Sequence, residues 1–319
     1  MRYLVTGGAG FIGSNIAAEL LRQNKDVRVI DNFSTGRKRN LAPLMNRIEL
    51  VDGDIRDYWT VIEAVKDVDY VLHQAALPSV QRSVQNPLTS NDVNLCGTLN
   101  LLEAARQAGV KKFVLASSSS VYGESEELPK HEKMMPSPLS PYAVTKLTCE
   151  YYATVYDRLY DLPCVALRYF NVFGPNQDPT SHYSAVIPLF INALLTGNQP
   201  VIFGDGLQSR DFTYVSNAVY ANILAAESED VRGEIFNVAC GERYTLLDLL
   251  KDLNDIIGTD IEPLFDQPRP GDIKHSMAAI DKVETKLGYK MLVGFKEGLE
   301  KTVEHFRQEM KTAAYAGKK

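Results

Sequence analysis

A glycine-rich turn between a predicted strand and a predicted helix limits the fold of this chain more than any other feature. The stretch VTGGAGFIGSN continues the apolar run Tyr3–Val5 and opens a segment of helical period. Gly8, Gly10 and Gly13 satisfy G-x-G-x-x-G, and Gly7 with the last two satisfies G-x-x-G-x-x-G. Such glycines let a pyrophosphate approach the backbone where a Cβ would block it, and the N-terminus of the next helix offers free N–H groups. The turn therefore predicts a dinucleotide site.

An acidic residue at the end of the next predicted strand indicates which dinucleotide binds. Asp31 lies in VRVIDNFSTG, where a carboxylate can accept hydrogen bonds from both adenosine ribose hydroxyls and repel a 2′-phosphate. The basic run Arg37, Lys38 and Arg39 supports the opposite interpretation, because it could hold that phosphate. We predict NAD, since the carboxylate stands at the discriminating position.

Short apolar runs alternate with segments of helical period through the first half of the chain. Strands are predicted at 3–5, 27–30, 49–51, 70–73, 113–116 and 163–170, and helices at 12–23, 59–65, 93–107 and from Pro141 onward. This alternation predicts an α/β fold with a Rossmann-type doubly wound parallel sheet. After a loop rich in Pro, Asn and Gly, helical patterns follow at 185–195, 217–226, 246–257 and 295–310. We predict an NAD-binding domain over 1–170 and a smaller α/β C-terminal substrate domain over 171–319, with the run near 234–240 as a candidate for a strand that returns to the first sheet.

Composition and charge exclude several classes of protein. Hydrophobic residues at 45% and charged residues at 23% are ordinary for a globular domain, and a net charge of -6 argues against nucleic acid as a partner. The 4 cysteines and 5 histidines lack metal-ligand spacing, so no metal is predicted and the cysteines are expected to be reduced. No signal-peptide pattern and no apolar run of membrane-spanning length is visible, so we expect no membrane partner and a cytoplasmic location.

A tyrosine, a lysine and a run of serines form a second constellation. SPYAVTK places Tyr142 and Lys146 four residues apart, on one face of a helix. A tyrosine has a pKa of about 10, and we expect the ammonium and the positive nicotinamide ring to lower that pKa by favouring the phenolate. The serines 117–120 end a predicted strand, at the sheet edge where open parallel sheets bind ligands. A hydroxyl, a phenol and an ammonium beside a dinucleotide turn predict hydride transfer.

The motifs TGGAGFIG, DNFSTG, GDIRD, SSSSVYGE, SPYAVTK, LRYFNVFGP, FGDGLQSRDFTYV and RPGDIKHS occur in this order along essentially the whole chain. In this the chain resembles the extended short-chain dehydrogenases/reductases, and among them the UDP-hexose 4-epimerases. The resemblance implies that Ser118, four residues before the tyrosine of V-Y-G, is catalytic together with Tyr142 and Lys146. It further implies that NAD is lined by Gly7, Gly10, Phe11, Ile12, Gly13, Asp31, Asn32, Ser34, Thr35, Gly36, Asp54, Ile55, Gln74, Ala75, Ala76, Asn94, Tyr142, Lys146 and Phe170.

The resemblance also implies a reaction: a hydride leaves sugar C4, the 4-keto sugar rotates about its link to the diphosphate, and the hydride returns to the other face. The related 4,6-dehydratases carry an Asp-Glu pair where Ser119 and Ser120 stand here, and UDP-glucuronate decarboxylases usually place a glutamate in that segment. Serines provide neither acid nor base of suitable pKa. We therefore predict a UDP-sugar 4-epimerase, with a 4,6-dehydratase or a UDP-glucuronate 4-epimerase as the alternative. A noncatalytic NAD-dependent sensor is disfavoured, because binding alone would not require Ser118, Tyr142 and Lys146.

The resemblance places the UDP-sugar at Ser79, Ser120, Asn171, Gln177, Val186, Phe203, Arg210, Arg269, Asp272 and Ser276. The guanidinium groups of Arg210 and Arg269 match positions that hold the UDP phosphates, a role that suits their forked geometry. Epimerases restricted to glucose and galactose carry a tyrosine where Ser276 stands, so we expect UDP-GlcNAc and UDP-GalNAc, with UDP-glucose and UDP-galactose as further substrates. Pro78 departs from the pattern of the epimerases that prefer N-acetylated sugars, which often have a glycine at this position. The resemblance also implies a homodimer, formed through helices such as 93–107 and the one from Pro141.

Overall fold

The computed structural model describes residues 1–179, 185–268 and 273–316, with side chains as far as residue 312. The strands are β1 Arg2–Thr6, β2 Asp26–Asp31, β3 Glu49–Asp52, β4 Tyr70–His73, β5 Lys112–Ser118, β6 Cys164–Tyr169, β7 Val172–Phe173, β8 Val201–Phe203, β9 Ser209–Arg210, β10 Thr213–Tyr214, β11 Glu234–Val238, β12 Tyr244–Thr245 and β13 Leu264–Asp266. The helices are α1 Phe11–Arg22, α2 Lys38–Leu41, α3 Tyr58–Val65, α4 Val80–Gln85, α5 Pro87–Asn91, α6 Gly97–Gln107, α7 Pro141–Tyr160, α8 Val186–Leu195, α9 Val215–Glu227, α10 Leu246–Ile257, α11 Asp281–Leu287 and α12 Phe295–Ala316. A π-helical turn, Asp92–Cys96, leads into α6, and a 3₁₀ turn, Ser119–Tyr122, follows β5.

A seven-stranded parallel sheet forms the centre of the molecule, in the order β11-β6-β5-β4-β1-β2-β3. The predicted Rossmann-type doubly wound α/β fold is therefore confirmed. The strand order reverses between β1 and β4, and ligands of such sheets bind outside the carboxyl ends of the strands at that point. Strand β11 comes from the C-terminal half of the chain, so the sheet draws on both of the predicted domains.

Alternate residues of the central strands point to opposite faces of the sheet and build two cores. Tyr3 and Val5 belong to the larger hydrophobic cluster, whereas Leu4 belongs to the second. Helices α1 and α9 pack against each other on the first face, and α3, α6 and α7 cover the second. Because every central strand is covered on both faces, its buried residues form continuous apolar runs, which is why these strands were visible in the sequence.

The C-terminal part is held together by short strand pairs and an aromatic cluster. Strands β8 and β13 pair in parallel, as do β7 and β10, while β9 and β12 are antiparallel. The rings of Phe212 and Tyr244 stack on Phe295, with centroids 5.4 and 4.0 Å apart. Strands of two or three residues have no readable alternation, so the sequence did not predict these pairs. Within the described part of the chain, the structure shows no helix of a length and apolarity that would cross a membrane.

Candidate active site

The glycine turn after β1 packs too tightly for any side chain. Gly7 has φ +64°, and a Cβ there would lie 2.7 Å from the Cα of Ala75. A Cβ on Gly13 would lie 2.3 Å from the Gly7 carbonyl oxygen. Helix α1 begins at Phe11, and no side chain caps its first N–H groups at Gly10. These features fit a pyrophosphate, because its oxygens can reach both the bare backbone and the helix N-terminus.

Asp31, the last residue of β2, faces the same cleft with a fixed carboxylate. Its two oxygens accept hydrogen bonds from the Ala9 N–H at 2.9 Å and the Phe33 N–H at 2.8 Å. Burial raises the pKa of Asp31, and the two N–H groups oppose that rise. Each oxygen keeps a further lone pair, so the carboxylate can still accept from ribose hydroxyls.

The basic run that could have held a 2′-phosphate is engaged elsewhere. Arg37 forms an ion pair with Asp178, and Arg39 lies 3.5 Å from Glu309. The ammonium of Lys38 stands 4.9 Å from the centre of the Phe33 ring. This arrangement favours the NAD interpretation over the NADP one.

A cleft of about 400 Å³ opens at the carboxyl ends of the strands. Its lining includes nearly all of the predicted cofactor residues: Gly7, Gly10, Phe11, Ile12, Gly13, Asp31, Asn32, Ser34, Thr35, Gly36, Asp54, Ile55, Gln74, Ala75, Ala76, Tyr142 and Lys146. Asn94 and Phe170 do not line it. Asn94 is 1% exposed and is bonded to the backbone of Leu77, and Phe170 is fully buried against Tyr122.

Of the three residues predicted to be catalytic, Tyr142 and Lys146 line this cleft, and Ser118 lies beside Tyr142 just outside the lining. The Ser118 hydroxyl accepts a hydrogen bond from the Ser120 N–H at 3.2 Å, and it lies close enough to the Tyr142 hydroxyl to favour the ionised form of the phenol. The ammonium of Lys146 donates to the Ala116 carbonyl at 2.8 Å and lies 5.9 Å from the centre of the Tyr142 ring. The Ser118 hydroxyl accepts the bond from the Ser120 N–H through one lone pair, so its own proton remains available to donate to a nearby oxygen.

The protein alone does not lower the pKa of Tyr142, so the expected lowering depends on bound NAD as well as on Lys146. Burial raises the pKa of Tyr142 to about 12, and only the hydrogen bond with Ser118 acts in the other direction. Burial also lowers the pKa of Lys146, because it disfavours the charged form of the lysine. A phenolate in this site therefore depends on further positive charge, which the nicotinamide ring of NAD+ supplies when bound.

The first serine of the run has a different partner from the others. The Ser117 hydroxyl donates to the carboxylate of Glu150, which also forms two hydrogen bonds with Arg168, at 2.9 and 2.7 Å. Glu150 follows Lys146 by one helical turn, and its pairing with Arg168 is completely buried. Sequence reasoning missed Glu150, although its position one turn after Lys146 on the same helical face was an available signal.

A second cavity, of about 250 Å³, lies beside the first and shares Ala185 with it. Four of the predicted substrate residues line this second cavity: Asn171, Val186, Phe203 and Arg210. Gln208 also lines it, and one of its amide atoms, Oε1, is buried without a hydrogen-bond partner. Sequence reasoning missed Gln208, which lies in the quoted motif two residues before the arginine.

The other predicted substrate residues are more dispersed. Gln177 lines the first cleft, with its Oε1 buried and unpartnered, and Ser120 Oγ is likewise buried without a partner. Ser79 caps α4 by accepting from the Arg82 N–H. Ser276 is 8% exposed and its N–H donates to the Ser209 carbonyl at 3.0 Å, next to the strand that carries Arg210. Arg269 and Asp272 lie outside the described residues.

The fold and this cluster define a short-chain dehydrogenase/reductase of the extended type. A model of the NAD dependent epimerase/dehydratase family matches residues 3–239. A putative UDP-glucose 4-epimerase of Methanocaldococcus jannaschii is 41% identical over 97% of this chain and 99% of its own. The solved structure of UDP-N-acetylglucosamine 4-epimerase from Methanobrevibacter ruminantium, in complex with UDP-N-acetylmuramic acid, is 44% identical, covers 97% of this chain and 99% of that one, and has a TM-score of 0.93.

UDP-glucuronic acid 4-epimerase from Bacillus cereus, solved with UDP-glucuronic acid and NAD, is 35% identical, covers 97% of this chain and 100% of that one, and has a TM-score of 0.90. The chain belongs to the NAD-dependent epimerase/dehydratase family, as its motifs indicated. It is an NAD-dependent enzyme of the UDP-sugar 4-epimerase group within that family.

Proposed function

We propose that this enzyme inverts C4 of a UDP-hexose through a transient 4-keto sugar, with UDP-GlcNAc and UDP-GalNAc as its principal pair of substrates. The observation that carries this proposal is the proximity of Ser118, Tyr142 and Lys146 near the carboxyl end of β5, beside a cleft that fits NAD. Hydroxyl, phenol and ammonium are the groups that an alcohol oxidation at C4 requires.

Each of the three residues has its own task at the sugar. Tyr142, as phenolate, takes the proton of the C4 hydroxyl and returns it when the alcohol is formed again. Ser118, whose hydroxyl accepts from the Ser120 N–H, forms a hydrogen bond with the same C4 oxygen of the sugar. Lys146 is anchored to the Ala116 carbonyl by one of its three N–H bonds, and its charge favours the phenolate. NAD, which the glycine turn and Asp31 would hold, would supply the acceptor for the C4 hydride and the donor that returns it to the opposite face.

An elimination reaction has less support from the site. The segment that follows Ser118 offers only hydroxyls, at Ser119 and Ser120. Among the described residues that line the cleft, the carboxylates are Asp31, Asp54 and Asp178. Asp31 is bonded to the glycine turn, the pKa of Asp54 is lowered to about 2 by its hydrogen bonds with Arg56, and Asp178 forms an ion pair with Arg37. None of the three is therefore positioned as a protonated acid near the sugar end. A dehydratase would need such an acid.

Two small serine side chains, at Ser120 and Ser276, support the N-acetyl substrates. Ser120 Oγ is buried without a partner, so a ligand group would satisfy it, and burying it unpaired costs roughly 1–3 kcal/mol. The Ser276 side chain is smaller than a tyrosine by a phenol ring, so it takes up less space beside the substrate than a tyrosine would. A pocket of this kind admits an acetamido group at C2 but does not exclude a hydroxyl there, so we expect UDP-glucose and UDP-galactose to be slower substrates rather than inert ones.

A product assay tests the proposal. The enzyme, incubated with UDP-GlcNAc, UDP-glucose and UDP-glucuronate in separate reactions without added nicotinamide, should form the C4 epimer fastest from UDP-GlcNAc. Replacing Tyr142 by Phe should abolish turnover while NAD stays bound, whereas Tyr152→Phe on the same helix should remain active. A product that has lost water would refute epimerisation, and turnover of UDP-glucuronate alone would refute the substrate assignment.

The role of Ser276 has its own test. Ser276→Tyr should lower kcat/KM for UDP-GlcNAc more than for UDP-glucose, since only the first carries the bulky C2 group, and Ser276→Thr serves as the control that keeps a small hydroxyl. Equal losses for the two substrates in Ser276→Tyr would remove the argument for a C2 pocket.

We also propose that the enzyme is a cytoplasmic homodimer. Helix α7 carries an exposed apolar stripe made of Val144, Tyr151, Val155 and Leu159, and helices α4 and α5 pack beside it with Leu88 82% exposed. All 4 cysteines are free, which suits a reducing compartment. Sedimentation at micromolar concentration should give a dimer, and Tyr151→Glu with Leu159→Glu should give a monomer; a monomeric wild-type chain would contradict this assignment.

A further inference from the structure

A chain of buried hydrogen bonds runs from the end of β1 to helix α6, and His73 is its central member. The imidazole is 1% exposed and lies between two threonine hydroxyls, with Nδ1 2.7 Å from Thr6 Oγ1 and Nε2 2.8 Å from Thr98 Oγ1. Thr6 and His73 are paired residues of β1 and β4. The ring therefore stands where the order of the sheet reverses, directly beneath the cleft.

The groups at the two ends of this chain determine which atom carries each proton. Thr98 Oγ1 lies 2.5 Å from the Asn94 carbonyl oxygen, which can only accept, so the hydroxyl proton of Thr98 goes there. The proton between ring and hydroxyl must then belong to His73 Nε2. At the other end the Ala75 N–H donates to Thr6 Oγ1 at 3.1 Å, and the Thr6 hydroxyl donates to Nδ1. Burial, which lowers the pKa of His73 to about 3, favours the same neutral ring.

The chain continues from Asn94 into both halves of the site. The Asn94 side chain accepts from the Leu77 N–H at 2.7 Å and donates to the Leu77 carbonyl at 3.2 Å and to Thr145 Oγ1 at 3.3 Å. Thr145 precedes Lys146, and its hydroxyl donates to the Tyr142 carbonyl at 2.7 Å. The segment after β4, which lines the cleft, is thus bonded to the helix that carries the tyrosine and the lysine.

We propose that His73 is a positioning residue: a neutral ring, protonated on Nε2, that fixes the wall of the NAD cleft relative to Tyr142 and Lys146. A fully satisfied buried network of this kind has one arrangement of donors and acceptors, so it holds its neighbours in one register. Hydride and proton transfer are sensitive to that register, because a displacement of about 1 Å can lower a rate about 100-fold. The kinetic consequence rests on the proposed epimerase function, whereas the protonation state of the ring does not.

Substitutions along the chain separate positioning from simple stability. His73→Leu leaves the Thr6 donor and the Thr98 acceptor unpaired, while His73→Gln offers a carbonyl to one and an amide N–H to the other. We expect His73→Leu to lower kcat roughly 10- to 100-fold at saturating NAD, with the KM for the UDP-sugar within about twofold, and His73→Gln to recover most of that loss. Thr98→Val should lower kcat by about tenfold.

Thr302 gives a matched control for Thr98. It is fully buried, and its hydroxyl also donates to the carbonyl of the residue four positions earlier, Gly298, at 2.6 Å, but it lies in α12. Thr302→Val should leave kcat unchanged. If Thr98→Val and Thr302→Val lower kcat equally, or if His73→Gln is as slow as His73→Leu while both remain folded by circular dichroism, His73 has no positioning role. Should His73→Leu fail to fold, the two threonine variants decide the matter.

Imidazole ¹⁵N NMR tests the inference without any turnover. The His73 ring should show an unprotonated Nδ1 and a protonated Nε2, with no titration between about pH 5 and 8, where ordinary histidines change charge. A proton on Nδ1, or a titration in that range, would overturn the assignment. If the wild-type enzyme epimerises no UDP-sugar, the proposed function fails, but this spectrum and the NAD affinity of His73→Leu against wild type still decide the role of the histidine.

Discussion

The buried pair of Glu150 and Arg168 provides the most direct test of the energetics beneath the active site. Their side chains are 0% and 3% exposed, and two hydrogen bonds, of 2.9 and 2.7 Å, join them. Burial acts to lower the pKa of Arg168, but the bonds to Glu150 raise it overall, so the guanidinium stays charged. Glu150→Gln keeps the shape of the side chain and removes the charge, leaving Arg168 as a buried cation opposite an amide that presents an N–H.

The expected loss follows from the burial of the pair. Breaking a buried ion pair by removing one partner costs about 3–5 kcal/mol, because the remaining charge is left without compensation. We therefore expect Glu150→Gln to lower the free energy of unfolding by about that amount, measured by urea denaturation with saturating NAD and followed by far-UV circular dichroism. The double variant Glu150→Leu with Arg168→Leu should recover most of the loss, because it leaves no charge behind.

An exposed pair gives the comparison. Glu19 and Arg22 are 2.7 Å apart in α1, with Arg22 74% exposed, so Glu19→Gln should cost no more than about 1 kcal/mol. If Glu150→Gln proves as mild as Glu19→Gln, or if the double leucine variant is no more stable than Glu150→Gln alone, the reasoning about uncompensated charge is refuted.

Three further predictions concern the cleft and its supports. Gly7→Ala should weaken NAD binding at least tenfold by calorimetry, because its Cβ would meet the Ala75 backbone at 2.7 Å in a left-handed conformation. Asp31→Asn should lower NAD affinity by about 1.5–3 kcal/mol and narrow the preference over NADP, since a charged acceptor is lost. Burial raises the pKa of Asp211 to about 6, so its contribution to stability is complete below about pH 4 and is lost as the pH rises through 6. Asp211→Asn should remove that slope, worth roughly 3 kcal/mol, from thermal denaturation curves.

The parts of the structure that could be predicted from the sequence are those set by local pattern. The strands of the central sheet are buried on both faces, so they appear as apolar runs, and the glycine turn can be recognised because each glycine answers a specific close approach. Tyr142 and Lys146 share a helical face, which fixes their proximity from spacing alone.

The parts that the sequence could not reveal depend on contacts between distant segments. Asn94 lies in a π-helical turn, whose extra residue changes the phase of the helix and directs the side chain to Leu77. The direction of the pKa shift of Tyr142 depends on how deeply the phenol is buried, which no spacing reveals. Gln177 was assigned to the sugar by resemblance, yet its place on the first cleft is decided by the path of the loop after β7.

The two sides of the site are built in different ways, and the difference suits an epimerase. The residues on the cofactor side stand on long central strands and are tied by buried bonds, such as those of Thr6 and His73. On the substrate side, Arg210 lies in a two-residue strand, and Ser276 is held beside it by single backbone hydrogen bonds. Segments with few backbone bonds open at lower free energy than central strands do. An epimerase of this kind needs this asymmetry. Its nicotinamide must keep one position, because the same hydride leaves C4 and returns to it. Its 4-keto sugar must rotate between those two transfers, so that the opposite face of C4 receives the hydride.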